Sequence, residues 1–272
     1  MQNKVVIITG GSSGIGKSCA FAFGKAGAKV VITGRKEPQL FTTSQELTQA
    51  GITNLPIVAD VSVEADNQRM VEQTLAHFGK IDVLINNAGI SMRALFEELD
   101  LSVIRKVMET NFFGTVYATK YCLPHILQTQ GSIIGISSIA GHRGLPARTG
   151  YSASKFAMQG FFEALRSELI YKKIHILVVA PGFTATNIRN TALTDEGKAQ
   201  GQSPRAENKM MTADEVARYI LKATLKKKRD LILTTQGKLT VWLNKFFPKL
   251  LDKLVFNTLA KEKNSPLQKY KS

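Results

Sequence analysis

The sequence contains few cysteines, no long apolar run and no grouping of potential metal ligands. Two of its 272 residues are cysteines, Cys19 and Cys122, which are too few for a disulfide framework and favour a reducing, cytoplasmic setting. No run of about 18 apolar residues predicts a membrane-spanning helix. The four histidines lack the spacing of metal ligands, so no metal site is expected. With 44% hydrophobic and 21% charged residues, the composition is typical of a soluble globular protein.

Acidic residues are also scarce, and their deficit is uneven along the chain. The formal net charge is +15, from 36 Lys and Arg against 21 Asp and Glu. From Lys222 to the end, 13 basic residues accompany 3 acidic ones, so the excess belongs mainly to the tail. Because no nucleic-acid-binding motif accompanies it, we expect no nucleic acid as a partner.

Short apolar runs alternate with helical segments over most of the chain. Parallel strands are buried on both faces and read as nearly continuous apolar runs, so this alternation predicts crossover helices between parallel strands. We expect one α/β domain over residues 1–236, a doubly wound Rossmann fold with a seven-stranded parallel sheet flanked by helices. Residues 1–4 lead directly into the first strand and do not resemble a targeting signal. The predicted strands are residues 5–9, 29–33, 55–59, 81–86, 132–137, 174–180 and 231–234.

A glycine-rich segment lies between the first predicted strand and the first helical run. Glycines let the backbone turn tightly and approach a pyrophosphate, while the helix N-terminus supplies N–H groups and a favourable dipole. The segment therefore predicts a phosphate cradle for a dinucleotide. Its candidate cofactor-binding residues are Thr9, Gly10, Ser12, Ser13, Gly14, Ile15 and Gly16.

Two cations follow the second predicted strand, at the position where a carboxylate would bind the ribose 2′-hydroxyl of NAD. The residues there are Arg35 and Lys36, and no acid occupies that position. Such a pair suits a 2′-phosphate, so the pattern favours NADP(H) over NAD. A solvated basic turn is the alternative interpretation.

Tyr151 and Lys155 are four residues apart, which places them on one face of a predicted helix. A phenol titrates near about 10, so a close ammonium that lowers its pKa would make it an acid-base group at neutral pH. The spacing alone is common on solvated helices. Its interpretation depends on the other motifs.

Taken in order, the glycine segment, residues 86–89 (Asn-Asn-Ala-Gly), Tyr151 with Lys155, and residues 181–182 (Pro-Gly) resemble the short-chain dehydrogenase/reductases. The resemblance covers about residues 4–235. Within that family the chain is most similar to the branch that includes membrane-associated reductases of lipids, retinoids and steroids.

The resemblance implies roles for four catalytic residues. Ser138 would bind the substrate oxygen, Tyr151 would transfer the proton, and Lys155 would lower the pKa of that phenol and hold the nicotinamide ribose. Asn111 matches the asparagine that keeps a water in the proton path. Further cofactor contacts implied by the family are Asp60 and Val61 at the adenine, Asn87, Ala88 and Gly89 at the adenosine ribose, and Pro181, Gly182, Thr184 and Thr186 at the carboxamide.

These features predict an NADP(H)-dependent oxidoreductase that interconverts a carbonyl and a secondary alcohol on an apolar small molecule, such as a lipid or a steroid-like compound. The family resemblance also implies a homodimer or homotetramer. The alternative from a different class is a catalytically idle NADP-binding scaffold whose tail recruits a membrane or a partner.

Four segments outside these motifs carry separate expectations. Residues 187–209 are polar without a period and are expected to form a lid or a partly disordered loop. The loop residues His142, Arg143 and Arg148 are interpreted as solvated, with contact to an anionic head group as the alternative. Residues 238–260 predict a basic amphipathic helix bent at Pro248, which would lie on an anionic membrane, cover the active-site mouth or pack against another subunit. Residues 261–272 are expected to be frayed or disordered.

Overall fold

Seven parallel strands form one sheet in the computed structural model, which describes residues 1–206 and 210–271. The strands of this sheet are β1 (Val5–Ile8), β2 (Lys29–Gly34), β3 (Asn54–Val58), β4 (Val83–Asn86), β5 (Ser132–Ile136), β6 (His175–Ala180) and β9 (Asp230–Ile232). Two further short strands are β7 (Thr184–Ala185) and β8 (Met211–Thr212). The large sheet has the order β3-β2-β1-β4-β5-β6-β9, and β7 pairs with β8 in a small separate sheet. The predicted seven-stranded parallel sheet is confirmed.

Helices pack on both faces of the sheet. They are α1 (Gly14–Lys25), α2 (Glu37–Gln49), α3 (Glu64–Phe78), α4 (Leu101–Met108), α5 (Gly114–Thr129), α6 (Thr149–Glu168), α7 (Ala213–Leu225), α8 (Thr235–Phe246) and α9 (Pro248–Ala260). A π-helical turn, Glu109–Phe113, joins α4 to α5. Helix α7 begins with a reciprocal capping box, in which Thr212 and Glu215 each bind the backbone of the other.

Alternate residues of the strands enter opposite halves of the core, because side chains point to opposite faces with a period of two. Val6 and Ile8 of β1 pack with Phe23 in the half that α1 covers. Val5 and Ile7 pack instead in the half that holds Met70, Phe162 and Ile126 of α3, α6 and α5. Burial on both faces holds the strands in place within the sheet. Because the strands are parallel, the loops that follow them lie along one edge of the sheet. The order reverses between β1 and β4, where a doubly wound sheet opens a crevice for a ligand.

The segment after β6 docks on the body of the protein over the part that is described. Leu193 bridges to Met92 in the loop after β4, and the backbone N–H of Arg93 donates to the carbonyl of Leu193 at 2.8 Å. The backbone of Asp195 accepts from the N–H of Asp100 at 3.1 Å. Residues 187–206 therefore form an ordered lid, called the lid below, while residues 207–209 of the predicted segment lie outside the described residues.

The C-terminal extension differs from the expectation in two ways. The amphipathic region is two helices, α8 and α9, because Pro248 starts a new helix instead of bending a continuous one. The expectation of a frayed end is wrong for residues 261–271, since Leu267 is buried against Leu95 and Leu259. Lys269 also binds Glu97 and Glu98 at 2.6 Å each. Residue 272 lies outside the described residues.

Within the described part of the chain, none of the helices combines the length and the apolar character needed to cross a membrane.

Candidate active site

The predicted site residues follow the carboxyl ends of six neighbouring strands, so the fold gathers them along one edge of the sheet. Thr9 follows β1, Arg35 follows β2, Asp60 follows β3, Asn87 follows β4, Ser138 follows β5 and Pro181 follows β6. Parallel strands end at a common edge, and this edge includes the crevice where the strand order reverses.

Hydrogen bonds lock the loops after β1 and β4 together. The hydroxyl of Thr9 accepts from the backbone N–H groups of Asn87 and Ala88 at 3.0 and 3.1 Å. In return, the side-chain amide of Asn87 donates to the carbonyls of Thr9 and Gly10 at 2.9 and 3.1 Å. Asn87 therefore shapes the floor of the crevice through its amide, which leaves the backbone of Ala88 and Gly89 at the opening.

The glycine segment forms a turn that other residues could not close. Gly10 and Gly14 adopt positive φ angles of 63° and 51°, in the left-handed region that favours glycine. A Cβ on Gly16 would overlap the carbonyl of Gly10 and the amide of Asn87. The turn delivers the chain to the N-terminus of α1, whose first turn carries no acid in the sequence, so its electrostatic field favours an anion.

The remaining cradle residues flank this turn. Ser13 occupies the cap position of α1 with extended backbone, and the hydroxyl of Ser12 lies 3.1 Å from the place where Gly34 would carry a Cβ. Ile15 is partly buried against the apolar core. Thr186 reaches the cradle from the far side, with its Cγ2 3.3 Å from the corresponding Cβ place on Gly14. The crevice is thus bounded by the glycine turn and by the segment after β6.

Arg35 and Asp60 form one charged pair at the ends of β2 and β3. Nη1 of Arg35 lies 3.4 Å from Oδ2 of Asp60, and half of the arginine side chain stays exposed. Partial burial acts to raise the pKa of Asp60, but hydrogen bonds from Ser62 and the charge of Arg35 hold it below its usual value. Lys36 lies beside the pair at the start of α2, and Val61 is buried against Gly114. The group is cationic overall and open to solvent.

Lys155 is buried and anchored to the end of β5. It is 4% exposed, and its Nζ donates to the carbonyl of Ile136 at 2.8 Å. The same nitrogen lies 5.8 Å from the ring centroid of Tyr151, one helical turn earlier on α6. Burial lowers the pKa of Lys155 to about 8, so the ammonium still predominates at neutral pH.

The phenol of Tyr151 is perturbed in the direction opposite to the expectation. Burial raises its pKa, while the hydrogen bond with Ser138 and the charge of Arg148 act to lower it and are outweighed. The expected lowering of this pKa is not observed, because the phenol is desolvated by burial. At neutral pH the phenol therefore holds its proton.

Ser138 sits where β5 turns toward the start of α6. Its oxygen accepts from the N–H of Ala140 at 3.1 Å, capping the short 3₁₀ turn Ile139–Gly141. Because that bond uses a lone pair, the hydroxyl hydrogen remains free to donate. The N–H of Ile139 donates to the carbonyl of Pro181 at 3.2 Å, which ties this turn to the loop after β6.

Asn111 is fully buried in the π-helical turn before α5. Its Oδ1 accepts from the N–H of Ile90 at 2.8 Å, and its Nδ2 donates to the carbonyl of Ile90 and to Ser154 Oγ at 2.9 Å each. A Cβ on Gly89 would lie 3.2 Å from Asn111 Oδ1 and 3.6 Å from Lys155 Nζ. The π-helical turn thus fixes the backbone after β4 beside Lys155, as such turns frequently do at functional sites.

The segment after β6 closes the other side of the crevice. The hydroxyl of Thr184 donates to the carbonyl of Gly182 at 3.2 Å, and a Cβ on Gly182 would lie 2.9 Å from Thr234 Oγ1. A cavity of about 470 Å³ opens behind this segment, between the lid and the end of α9. Its walls include Phe183, Met210 and Met211.

The expectation of solvated loop arginines is wrong. Arg148 is buried and binds Glu262 at 2.9 Å, while Arg143 binds Asn244 at 3.1 Å and also Asp252. Isolated acids in an otherwise basic tail are the sequence signal that points to these contacts. Among the described residues, no group of three or more His, Cys, Asp or Glu side chains is placed to hold a metal ion.

A doubly wound sheet with a glycine cradle and a Tyr/Lys pair on one helix is the arrangement expected of a dehydrogenase or reductase. The chain belongs to the short chain dehydrogenase family, whose profile matches residues 4–197. The predicted family is confirmed, and the protein is an oxidoreductase of that family.

Curated relatives match along almost the whole chain. "Dehydrogenase/reductase SDR family member 7B" of Mus musculus is 38% identical over 271 residues, covering 97% of this chain and 84% of the relative. "11-beta-hydroxysteroid dehydrogenase-like 4A" of Arabidopsis thaliana is 35% identical over 253 residues, covering 92% of this chain and 83% of the relative. These names agree with the predicted branch of the family.

Solved structures share the fold. A short chain dehydrogenase/reductase from Burkholderia phymatum, in complex with NAD, has a TM-score of 0.83 at 24% identity, covering 92% of this chain and 95% of its own. An alcohol dehydrogenase from the archaeon Thermococcus sibiricus, complexed with 5-hydroxy-NADP, has a TM-score of 0.75 at 24% identity, covering 85% and 96%. The two differ in the cofactor type named for them.

Proposed function

We propose that the protein is an NADP(H)-dependent oxidoreductase that interconverts a carbonyl and a secondary alcohol on an apolar small molecule, such as a lipid or a steroid-like compound. The observation that carries the proposal is the meeting of Tyr151, Ser138 and Lys155 beside the glycine cradle. The site combines a proton donor, an oxygen-binding hydroxyl and a buried cation at the crevice of a doubly wound sheet.

The cradle fits the cofactor chemically. The N-terminus of α1 would hold the pyrophosphate, and the glycine turn lets the backbone come close to it. Arg35 and Lys36 would hold the 2′-phosphate, with Arg35 oriented by Asp60, and Asp60 and Val61 would meet the adenine. The other proposed contacts are the backbone of residues 87–89 at the adenosine ribose and Pro181, Gly182, Thr184 and Thr186 at the carboxamide.

The nicotinamide supplies a hydride to the carbonyl carbon during reduction. Tyr151 keeps its proton at neutral pH and donates it to the oxygen as negative charge builds there. Ser138 would donate a hydrogen bond to the same oxygen, because its bond with the N–H of Ala140 uses a lone pair and leaves the hydroxyl hydrogen available. Lys155 would hold the nicotinamide ribose, with its buried ammonium 5.8 Å from the centre of the Tyr151 ring. Asn111 keeps Ile90 and Gly89 in place beside Lys155, and we propose that its surroundings also hold the proton-path water.

Oxidation of NADPH over a panel of apolar ketones and lipid carbonyls tests the proposal. The Tyr151→Phe variant should lose turnover by about 10²–10⁴-fold, the usual contribution of a positioned acid, with its NADPH affinity retained. Tyr121→Phe is the matched control, because that phenol binds Glu64 at 2.8 Å on the outside of α5. If the protein binds NADPH without turnover, and Tyr151→Phe changes neither result, the catalytically idle scaffold is supported instead.

The outer face of the C-terminal helices supports a second proposal, peripheral contact with an anionic membrane. Six large apolar side chains are about half exposed there: Leu239, Trp242, Phe246, Phe247, Leu250 and Leu254. Lys238, Lys245, Lys249 and Lys253 lie on the same two helices. Such a combination favours the surface of an anionic bilayer. In this reading residues 1–236 form the catalytic domain and residues 237–272 a basic extension.

Sedimentation with anionic vesicles at low salt tests this contact. Trp242→Ser with Phe246→Ser should reduce the bound fraction severalfold, because the apolar area contributes most of the affinity. Tyr171→Ser is the control, since Tyr171 is 92% exposed but lies outside the extension. Equal binding by all three proteins, or by none, would refute the membrane contact.

We further propose a homodimer or homotetramer in a cytoplasmic, reducing setting. Phe113 and Phe156 are exposed on the body of the domain and are suited to a subunit interface. Cys19 and Cys122 are both free and buried, and burial raises the pKa of the Cys19 thiol to about 12. Light scattering of the purified protein tests the assembly; a monomer at micromolar concentration contradicts it.

A further inference from the structure

One acid of the C-terminal segment lies among three arginines that come from three different parts of the molecule. Oε1 of Glu262 lies 2.5 Å from Nε of Arg205 in the lid. Oε2 lies 2.9 Å from Nη2 of Arg148, just before α6, and 3.5 Å from Nε of Arg93, in the loop after β4. The side chain of Glu262 is only 3% exposed. This arginine cluster therefore joins the C-terminal segment to the lid and to the start of the catalytic helix.

Among the described residues, Glu262 supplies the one carboxylate of the cluster. Burial acts to raise the pKa of Glu262, but the charges and hydrogen bonds of Arg148 and Arg205 outweigh it and hold the pKa below the usual value. The carboxylate is thus ionised at neutral pH. Without it, the three guanidinium groups would face one another, two of them nearly buried, at the cost that unpaired buried charges carry. Removing Glu262 should separate the segments that the arginines belong to.

Two further contacts extend the cluster toward the proposed cofactor site. The guanidinium of Arg205 stacks on the ring of Phe183, with its central carbon 3.8 Å from the ring centroid. Phe183 directly follows residues 181–182, which line the crevice. Arg93 also donates to the carbonyl of Lys263 at 2.9 Å, which fixes the backbone beside Glu262. The side chain of Arg205 therefore connects the lid to the loop after β6, through Phe183, and to the C-terminal segment, through Glu262.

We propose that Glu262 is a positioning residue of the site: it holds the lid closed through Arg205 and cancels part of the positive charge of Arg148 at the start of the catalytic helix. The consequence for turnover rests on the proposed function. The closure of the lid and the charge beside Tyr151 do not rest on the proposed function, because each can be measured without a substrate.

The charge on Arg148 matters because Tyr151 lies three residues further along α6. The groups that act on the phenol are Ser138, by its hydrogen bond, Arg148, by its charge, and Lys155, whose Nζ lies 5.8 Å from the ring. Arg148 acts to lower the pKa of Tyr151, and the neighbouring carboxylate of Glu262 opposes that action. Loss of the carboxylate should therefore make the phenol more acidic.

The Glu262→Gln variant of the full chain tests both effects. Hydrogen exchange of residues 184–206 should become at least about tenfold faster, as expected when a buried ion-pair network loses the carboxylate that binds its three arginines. The phenolate titration of Tyr151, taken as the difference from the same protein carrying Tyr151→Phe, should move to lower pH. Glu196→Gln is the matched control, because it removes the same charge from the lid at an exposed pair with Lys198.

A second variant separates the two effects and covers the case in which Glu262→Gln does not fold. Arg205→Met removes the ion pair of the lid with Glu262 and the stacking on Phe183, and it leaves Arg148 paired with Glu262. It should speed exchange of the lid without moving the phenolate titration. The proposal is overturned if Arg205→Met leaves exchange of the lid at the rate of the Glu196→Gln control. It is overturned equally if a folded Glu262→Gln protein titrates like the wild type. Absence of turnover on every carbonyl would count against the proposed function alone.

Discussion

Cofactor choice should depend on Arg35, and the Arg35→Ala variant measures how much. Nη1 of Arg35 lies 3.4 Å from Asp60, which leaves the other two guanidinium nitrogens and half of the side chain available to a ligand. The proposed ligand is the 2′-phosphate that NADPH carries and NADH lacks. Truncation removes this contact and also frees the carboxylate of Asp60, whose pKa is held below its usual value and which therefore stays charged.

The size of the effect follows from these two changes. A hydrogen bond to a charged group contributes about 1.5–3 kcal/mol, and the half-exposed side chain of Arg35 places the contribution near the lower limit because solvent screens it. Repulsion between the freed carboxylate and the phosphate adds on the order of 1 kcal/mol in water-like surroundings. The Kd for NADPH should therefore rise roughly 10- to 60-fold. NADH makes neither contact, so its Kd should change by less than about threefold.

Fluorescence titration of both cofactors provides the measurement. Arg69→Ala is the matched control, since Arg69 is 45% exposed and pairs with Asp66 at 2.6 Å on the neighbouring helix α3. The control should alter neither Kd appreciably. The NADPH effect should also shrink at high salt, because exposed charges are screened. Equal weakening of NADPH and NADH by Arg35→Ala would refute the assignment of Arg35 to a 2′-phosphate.

Three other substitutions test the cradle, the buried lysine and a helix cap. Gly16→Ala should weaken NADPH binding at least about tenfold, because the added methyl would overlap the carbonyl of Gly10 and shift the turn. Burial lowers the pKa of Lys155 from 10.5 to about 8, so the unfolded chain binds this proton more tightly and stability rises between those pH values. In urea unfolding without cofactor, the stability advantage of Lys155→Met over the wild type should shrink by about 2–3 kcal/mol from pH 7 to 10.5. Thr212→Ala should lower the free energy of unfolding by about 1 kcal/mol, since it removes the reciprocal cap with Glu215.

The sheet could be predicted because its signal is local. Strands buried on both faces require consecutive apolar residues, and runs such as Val5–Ile8 are fully buried in the structure. The same holds for the placement of the candidate site, since residues that follow parallel strands must meet at one edge. The cap of α7 is equally local, because Thr212 and Glu215 are three residues apart.

The contacts of the C-terminal segment could not be predicted in this way. Glu262 binds Arg148 across 114 residues and Arg93 across a longer interval, and no periodic pattern links these positions. The basic composition of the tail predicts exposure to solvent, whereas Glu262 near its end binds three arginines of the body of the protein. The π-helical turn at Asn111 could not be predicted for a similar reason. Its contacts are with residues distant in sequence, namely the backbone of Ile90 and the side chain of Ser154 on α6.

The raised pKa of Tyr151 bears on how the proposed site would work in the two directions. The cofactor-free phenol holds its proton, which suits reduction, and the nearby ammonium is engaged by Ile136 at 2.8 Å. Oxidation requires the phenolate, so an additional positive charge must appear near the ring. The oxidised nicotinamide carries such a charge and the reduced one does not. We therefore expect NADP⁺ to move the phenolate titration of Tyr151 to lower pH and NADPH to move it less. Identical titrations with the two forms would show that the activating charge comes from the protein, with Arg148 and Lys155 as its sources.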